Sequence, residues 1–213
     1  MLLVQVNRRP QRDASGGAGG VSPRRRPTGL RPAPRRLARL ALAAVAFAAL
    51  GVPGRVQARG QDAPDFTIVA YQGEAALGGD SVSFDSLLGN GRPVVLNFWA
   101  GLCPPCRTEM PGFQKLHARF GDKVLFVGVD LGDYLGLGSH TDARSLLQDD
   151  HISYPAGYAA SRAPIDRYSI LAMPTTVVFD AEGARVAEHV GYYPADQLGR
   201  LLTGLLDQAR ATP

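Results

Sequence analysis

Beyond residue 60 the apolar positions follow two spacings, and the alternation between them sets out the elements. Residues 65–69 and 81–84 alternate apolar with polar side chains, as half-buried strands do, the first reading as a short edge strand. The segment 86–91 is a turn leading into a buried strand over 93–98. From Cys106 to Phe120 the spacing of Met110, Phe113, Leu116 and Phe120 marks one face of a helix, with a kink expected at Pro111-Gly112. Residues 124–129 form a continuous apolar run, the mark of a strand buried on both faces. Residues 142–149 fit a helix and 152–154 a short strand. Residues 175–179 and 185–190 flank Asp180-Ala181-Glu182-Gly183 as an antiparallel hairpin. Leu198, Leu201, Leu202, Leu205 and Leu206 then recur at i, i+3, i+4, i+7 and i+8, a last helix with Pro194 near its start.

Strands alternating with helices and closing on a hairpin plus a helix imply an α/β domain, a mixed central sheet covered on both faces, with the first strands as an N-terminal β extension. No internal repeat is present. The domain is expected over 65–210, after a linker at 59–64.

Composition changes the picture only through its unevenness. The chain is 45% hydrophobic and 20% charged, with a formal net charge of +4. Residues 1–58 hold eleven Arg and one acidic residue, so the leader contributes +10 and the remainder −6. The overall basicity therefore implies no nucleic-acid partner. Residues 1–36, rich in Arg, Pro and Gly, read as a disordered basic leader or as a start codon placed too early. Residues 37–58 have the layout of an export signal or membrane anchor: an apolar core at 40–52, a Pro53-Gly54 break, and Val56-Gln57-Ala58 as a cleavage site. The core is shorter than the ~20 residues of a spanning helix, which favours cleavage after Ala58. The Arg8-Arg9 and Arg35-Arg36 pairs lack the following apolar pair of a twin-arginine signal. Export leaves enough chain for one domain with a sizeable core, in a compartment where disulfides persist.

Against that background the only two cysteines, in Cys103-Pro104-Pro105-Cys106, carry the chemistry. Positions i and i+3 share a helical face, so the sulfurs can close into a disulfide and reopen with little backbone motion. Pro104 disfavours helical dihedrals at Cys103 and so places it at the N-cap. Neither proline has an N–H, which leaves the Cys106 amide as donor to a Cys103 thiolate beside the positive end of the helix dipole. Cys103 is the expected nucleophile and Cys106 the resolving thiol. A purely structural bridge across so short a loop would add little stability, and a closed zinc site wants four ligands. His117, His140, His151 and His189 are scattered and read as surface or packing residues.

The run from Asn97-Phe98-Trp99-Ala100 through Cys103-Pro104-Pro105-Cys106 to Glu109-Met110-Pro111, with Met173-Pro174-Thr175-Thr176 later, resembles the thioredoxin-fold thiol-disulfide oxidoreductases. Within them it is similar to the exported TlpA/ResA-like branch of the AhpC/TSA superfamily. The likeness spans roughly residues 62–209. It implies that Pro174 is cis and faces the dithiol, leaving the preceding backbone free to pair with a substrate strand. It implies as substrate contacts Trp99, which would pack under the dithiol, with Leu102, Pro104, Pro105, Met173 and Thr175. Asn97 stands where thioredoxin has a buried Asp. Glu109 matches the acidic residue of the branch and could accept the proton if burial raises its pKa, or could be a solvated first-turn acid. Leu102 replaces the usual Trp, giving a smaller apolar rim. The Gly-rich 130–141 segment, with Tyr134, Leu135 and Leu137, reads as a surface loop.

The resemblance further implies a monomer that exchanges disulfides with exported protein thiols, usually as a reductant fed by a membrane thiol carrier. Apocytochrome c is a common substrate in the branch, and no cofactor beyond the disulfide is required. Three alternatives share the fold. A thiol oxidant runs the same steps backwards. A peroxidase would need Pro and Thr where Leu96 and Ala100 stand. A copper metallochaperone would bind through both thiolates, but such relatives use wider Cys spacing and a distant His.

Overall fold

The computed structural model describes residues 65–211, so the leader, the export signal and the 59–64 linker lie outside the described residues. Seven strands form one sheet in the order β2-β1-β5-β4-β3-β6-β7. They are β1 (Thr67–Gln72), β2 (Ser81–Ser83), β3 (Val94–Trp99), β4 (Leu125–Asp130), β5 (Ala156–Ala159), β6 (Thr175–Phe179) and β7 (Arg185–Val190). Strands β3, β4 and β5 run parallel, while β1, β2, β6 and β7 join antiparallel at the flanks. This is the mixed sheet with an N-terminal β extension expected from the pattern.

Every residue of β3 and β4 is buried, because helices or turns cover both faces. Alternate residues of β3 feed two separate cores. Val95 and Trp99 pack under α2 (Pro104–Phe120), α4 (His140–Asp149) and α6 (Ala195–Ala211), with Met110, Phe113, Leu146, Leu198 and Leu202. Val94, Leu96 and Phe98 face the other way, onto Phe66, Phe84, Tyr168 and Ile170. That second face is closed by short pieces rather than long helices: α1 (Glu74–Leu77), a 3-10 turn at Phe84–Leu87, α3 (Gly132–Leu135) and α5 (Ala163–Arg167). Aromatic side chains supply the missing area, with Phe66 and Phe84 stacked at 5.1 Å and Tyr168 edge-on to both.

Four sequence readings need correction. The first strand is not an edge, since β2 covers its outer side and β5 its inner side. Residues 152–154 are not a strand. Ile152 and Tyr154 are buried, but their carbonyls accept from the Gln72 amide rather than from a neighbouring strand, and pairing starts only after Pro155, at β5. Helix α2 continues through Pro111 and Gly112, where the expected bend would fall, and Pro111 supplies no N–H to its ladder. The 130–141 segment is more than a surface loop: it contains α3 and the start of α4, and Leu137 and Tyr134 pack against the two cores. Helix α4 itself starts earlier than read, where Ser139 and Asp142 form a capping box. No helix among the described residues is long and apolar enough to cross a membrane.

Candidate active site

Strand β3 delivers the chain to the carboxyl end of the parallel strands, where Ala100, Gly101 and Leu102 turn it into α2. Cys103 is the N-cap, in extended conformation, with Pro104 and Pro105 opening the helix. The Cys106 N–H donates to the Cys103 sulfur at 3.3 Å. The two sulfurs are joined in a disulfide, with Cα atoms 5.3 Å apart. Cys103 is 4% exposed and Cys106 fully buried, so the outer sulfur is the one within reach of a partner. Both geometry and dipole favour negative charge on Cys103 once the bridge opens.

The turn is held from the side. The Leu102 N–H donates to the Leu137 carbonyl at 2.8 Å, and the Leu131 N–H to the Trp99 carbonyl at 3.0 Å. The 131–138 segment thus buttresses both ends of the approach to Cys103. Its own anchor is Asp130, buried at the end of β4, which accepts from the Gly132 N–H and the Tyr71 hydroxyl. Burial pushes the Asp130 carboxyl up, and those two bonds oppose the rise.

Leu102 is 60% exposed, Pro104 and Pro105 are exposed and Met173 is half-buried, so these four can meet a partner. Trp99 and Thr175 cannot. The indole is fully buried among Cys103, Cys106 and Met110, and the Thr175 hydroxyl is turned inward to the Ala172 carbonyl. Trp99 and Thr175 lie on opposite faces of the sheet, and both faces are covered, so their expected role as direct substrate contacts is withdrawn. The Met173–Pro174 bond is cis. Phe98 opposes Thr175 in the β3–β6 register, which brings Pro174 to the end of the sheet where the dithiol turn begins.

Below the disulfide lies a buried carboxylate. Glu109, 2% exposed, sits one turn beyond Cys106 on α2 and so is not a solvated first-turn acid. Its Oε1 accepts from the Asn97 amide at 2.8 Å and its Oε2 from the Tyr193 N–H at 2.5 Å. Burial pushes its pKa up to about 7 against the pull of these two donors. A carboxyl poised there can take and return a proton near neutrality. Asn97 also donates to the Thr176 hydroxyl at 3.0 Å, so the residue that replaces thioredoxin's Asp serves here to orient Glu109. Tyr154 closes the cluster from the segment before β5. Its hydroxyl is buried without a protein partner, and burial, with the Glu109 charge secondary, keeps the phenol protonated.

Sequence reasoning missed Asp130, Tyr154, His189 and Tyr193. Asp130 alone had a visible signal, a charge ending an otherwise apolar run. Among the described residues no three His, Cys, Asp or Glu lie together as metal ligands. Leu96, at one of the two peroxidase-diagnostic positions, is buried, and so is Ala100 at the other.

A mixed sheet of this order, a Cys-X-X-Cys disulfide at the mouth of the helix after its central strand, and a cis-proline on the adjacent strand define a thioredoxin-like thiol-disulfide oxidoreductase. The chain belongs to the AhpC/TSA family, whose model matches residues 59–186. It is 32% identical over 132 residues to the thioredoxin-like protein YneN of Bacillus subtilis, covering 62% of this chain and 71% of that one. It is 30% identical over 115 residues to the thiol-disulfide oxidoreductase ResA of Halalkalibacterium halodurans, covering 54% and 62%. Among solved structures it is similar to a putative thiol:disulfide interchange protein DsbE from Chlorobium tepidum, with TM-score 0.53, 26% identity, and 69% and 94% of the two chains covered.

Proposed function

We propose that the protein exchanges the Cys103–Cys106 disulfide and dithiol with exported protein substrates, acting as a reductant. The observation that carries this reading is the placement of Cys103, the cysteine of the pair that keeps a trace of exposure, at a helix N-cap above a fully buried Cys106 and a buried Glu109. In the reduced enzyme the Cys103 thiolate attacks a substrate disulfide, forming a mixed disulfide and expelling one substrate thiolate. Glu109 takes the proton from Cys106, and the Cys106 sulfur attacks Cys103. The second substrate thiolate leaves, and the enzyme is left oxidised, as it stands in this structure.

The substrate strand pairs with the backbone preceding Pro174, over a rim of Leu102, Pro104, Pro105 and Met173. The Arg-rich leader with its apolar 40–52 core supports an extracytoplasmic site of action, released after Ala58 or held at the membrane. There a membrane thiol carrier would return two electrons to the disulfide, and apocytochrome c would be one substrate. No cofactor enters these steps, and the protein acts as a monomer. The test is the equilibrium reduction potential of the pair, read by thiol trapping across dithiol redox buffers. A value near thioredoxin's, about −270 mV, supports a reductant; one near that of DsbA, about −120 mV, makes it an oxidant of exported thiols.

A further inference from the structure

Glu109 is held from two sides, and the second has no signature in the motif. Asn97, Thr176 and His189 lie directly opposite one another across β3, β6 and β7, so their side chains share the face under α2. Asn97, at one end of this row, bonds Glu109 directly. His189, at the other end, stacks on Tyr193 with ring centroids 4.3 Å apart and planes inclined by 14°. Its Nε2 lies 3.0 Å from the Tyr192 carbonyl, an oxygen that can only accept, so the ring donates there. The same short connection between β7 and α6 sends the Tyr193 N–H to Glu109 and the Gly191 N–H to the Pro174 carbonyl at 2.7 Å. Gly191 turns the chain at φ +87°, a conformation that other residues adopt only at a cost.

We propose that His189 is a positioning residue for Glu109: its ring clasps residues 191–193 against β7, and that clasp aims the Tyr193 N–H at the carboxylate. The proton acceptor and the backbone beside the cis-proline therefore depend on one connection. The catalytic consequence rests on the reading of Glu109 as acceptor of the Cys106 proton, but the clasp itself can be read in the oxidised protein, where neither cysteine titrates. The groups facing Glu109 are few. They are the Asn97 amide from β3, the Tyr193 N–H, and the Tyr154 phenol, on which Asp150 also acts. Among the described residues no Lys or Arg forms an ion pair with it. Weakening the Tyr193 bond therefore removes one of only two donors that hold the carboxyl down.

The experiment is a titration of the Glu109 side-chain carboxyl by carbon NMR in the full-length, oxidised, glutamate-labelled protein, with E109Q assigning the signal. In H189A the Glu109 midpoint should rise by about one pH unit, the size expected when a bond to a charged group is lost. H189F keeps the stacking surface while losing the Nε2 donor, and should fall between H189A and the unaltered protein; it decides the matter if H189A does not fold. Y193F retains both the ring and the N–H and should titrate like the unaltered protein. Unchanged midpoints in H189A and H189F would overturn the clasp. The catalytic reading is separable, because an unchanged rate of mixed-disulfide resolution in E109Q would defeat Glu109 as proton acceptor and leave the NMR result standing.

Discussion

Replacing Glu109 with Gln should remove a pH dependence that the native fold carries below neutrality. In the unfolded chain this carboxyl ionises near 4.5, whereas in the fold burial pushes it up to about 7. Between those values the native state keeps a proton that the unfolded state has released, so stability falls as pH rises. The contribution is fully present below 4.5 and is gone above about 7. At about 1.4 kcal/mol for each unit of pKa difference, the interval corresponds to about 3 kcal/mol, an upper figure for a group that accepts two hydrogen bonds. Gln has nearly the same volume. Its Oε1 can accept from the Tyr193 N–H, and its amide can donate to the Asn97 Oδ1, which has no other partner, once that amide turns over. The assay is urea denaturation of the oxidised protein and of E109Q across this pH range, so that cysteine ionisation does not enter. The stability of the unaltered protein relative to E109Q should decline by about 2–3 kcal/mol from the acid to the neutral end. Parallel curves would show that Glu109 ionises normally in the fold and would refute the argument from burial.

Three further outcomes are expected. G128A should cost about 1–3 kcal/mol in urea unfolding, because the added Cβ would lie 2.9 Å from the Trp99 Nε1 and 3.2 Å from the Tyr154 ring, both immobile in the core. R167K should fail to restore what R167M loses, about 1–2 kcal/mol by the same assay, since the Arg167 guanidinium, 4% exposed, grips Asp85 through two nitrogens that one ammonium cannot replace. L102A should leave stability within about 0.5 kcal/mol, as Leu102 is exposed. In stopped-flow it should nevertheless slow reduction of a protein disulfide more than reduction of a small disulfide, because only the protein reaches the rim.

The legible parts of this fold are those whose burial repeats along the chain. Strand β3, helix α2, the β6–β7 hairpin and helix α6 each present several periodic apolar positions, and the hairpin bounds match residue for residue. Strand β5 was illegible because Ala156-Gly157-Tyr158-Ala159 carries little β-propensity, while the neighbouring Ile152 and Tyr154 alternate like a strand yet are satisfied by the Gln72 side chain. At the site, the Cys103 N-cap was readable because proline dihedrals and helix geometry are local. The environment of Glu109 was not. It is assembled from Asn97, twelve residues earlier, and from a backbone N–H at Tyr193, eighty-four residues later, and a backbone donor leaves no trace in residue identity. Trp99 does pack under the dithiol as expected, but its complete burial, which takes it out of a partner's reach, comes from the helices that cover this face and from no signal in its own residue type.

The central claim is that Cys103 attacks and Cys106 resolves, and the most direct test is which cysteine can be trapped on a substrate. Reduced C106S and C103S proteins would be mixed with a disulfide-bonded protein, quenched with acid and separated on non-reducing gels. C106S should accumulate a mixed disulfide through Cys103 that dithiothreitol dissolves, while C103S, left with a fully buried thiol, should form none. Equal trapping by both variants, or trapping by C103S alone, would contradict the assignment of roles, and trapping by neither would remove disulfide exchange as the reaction of this site.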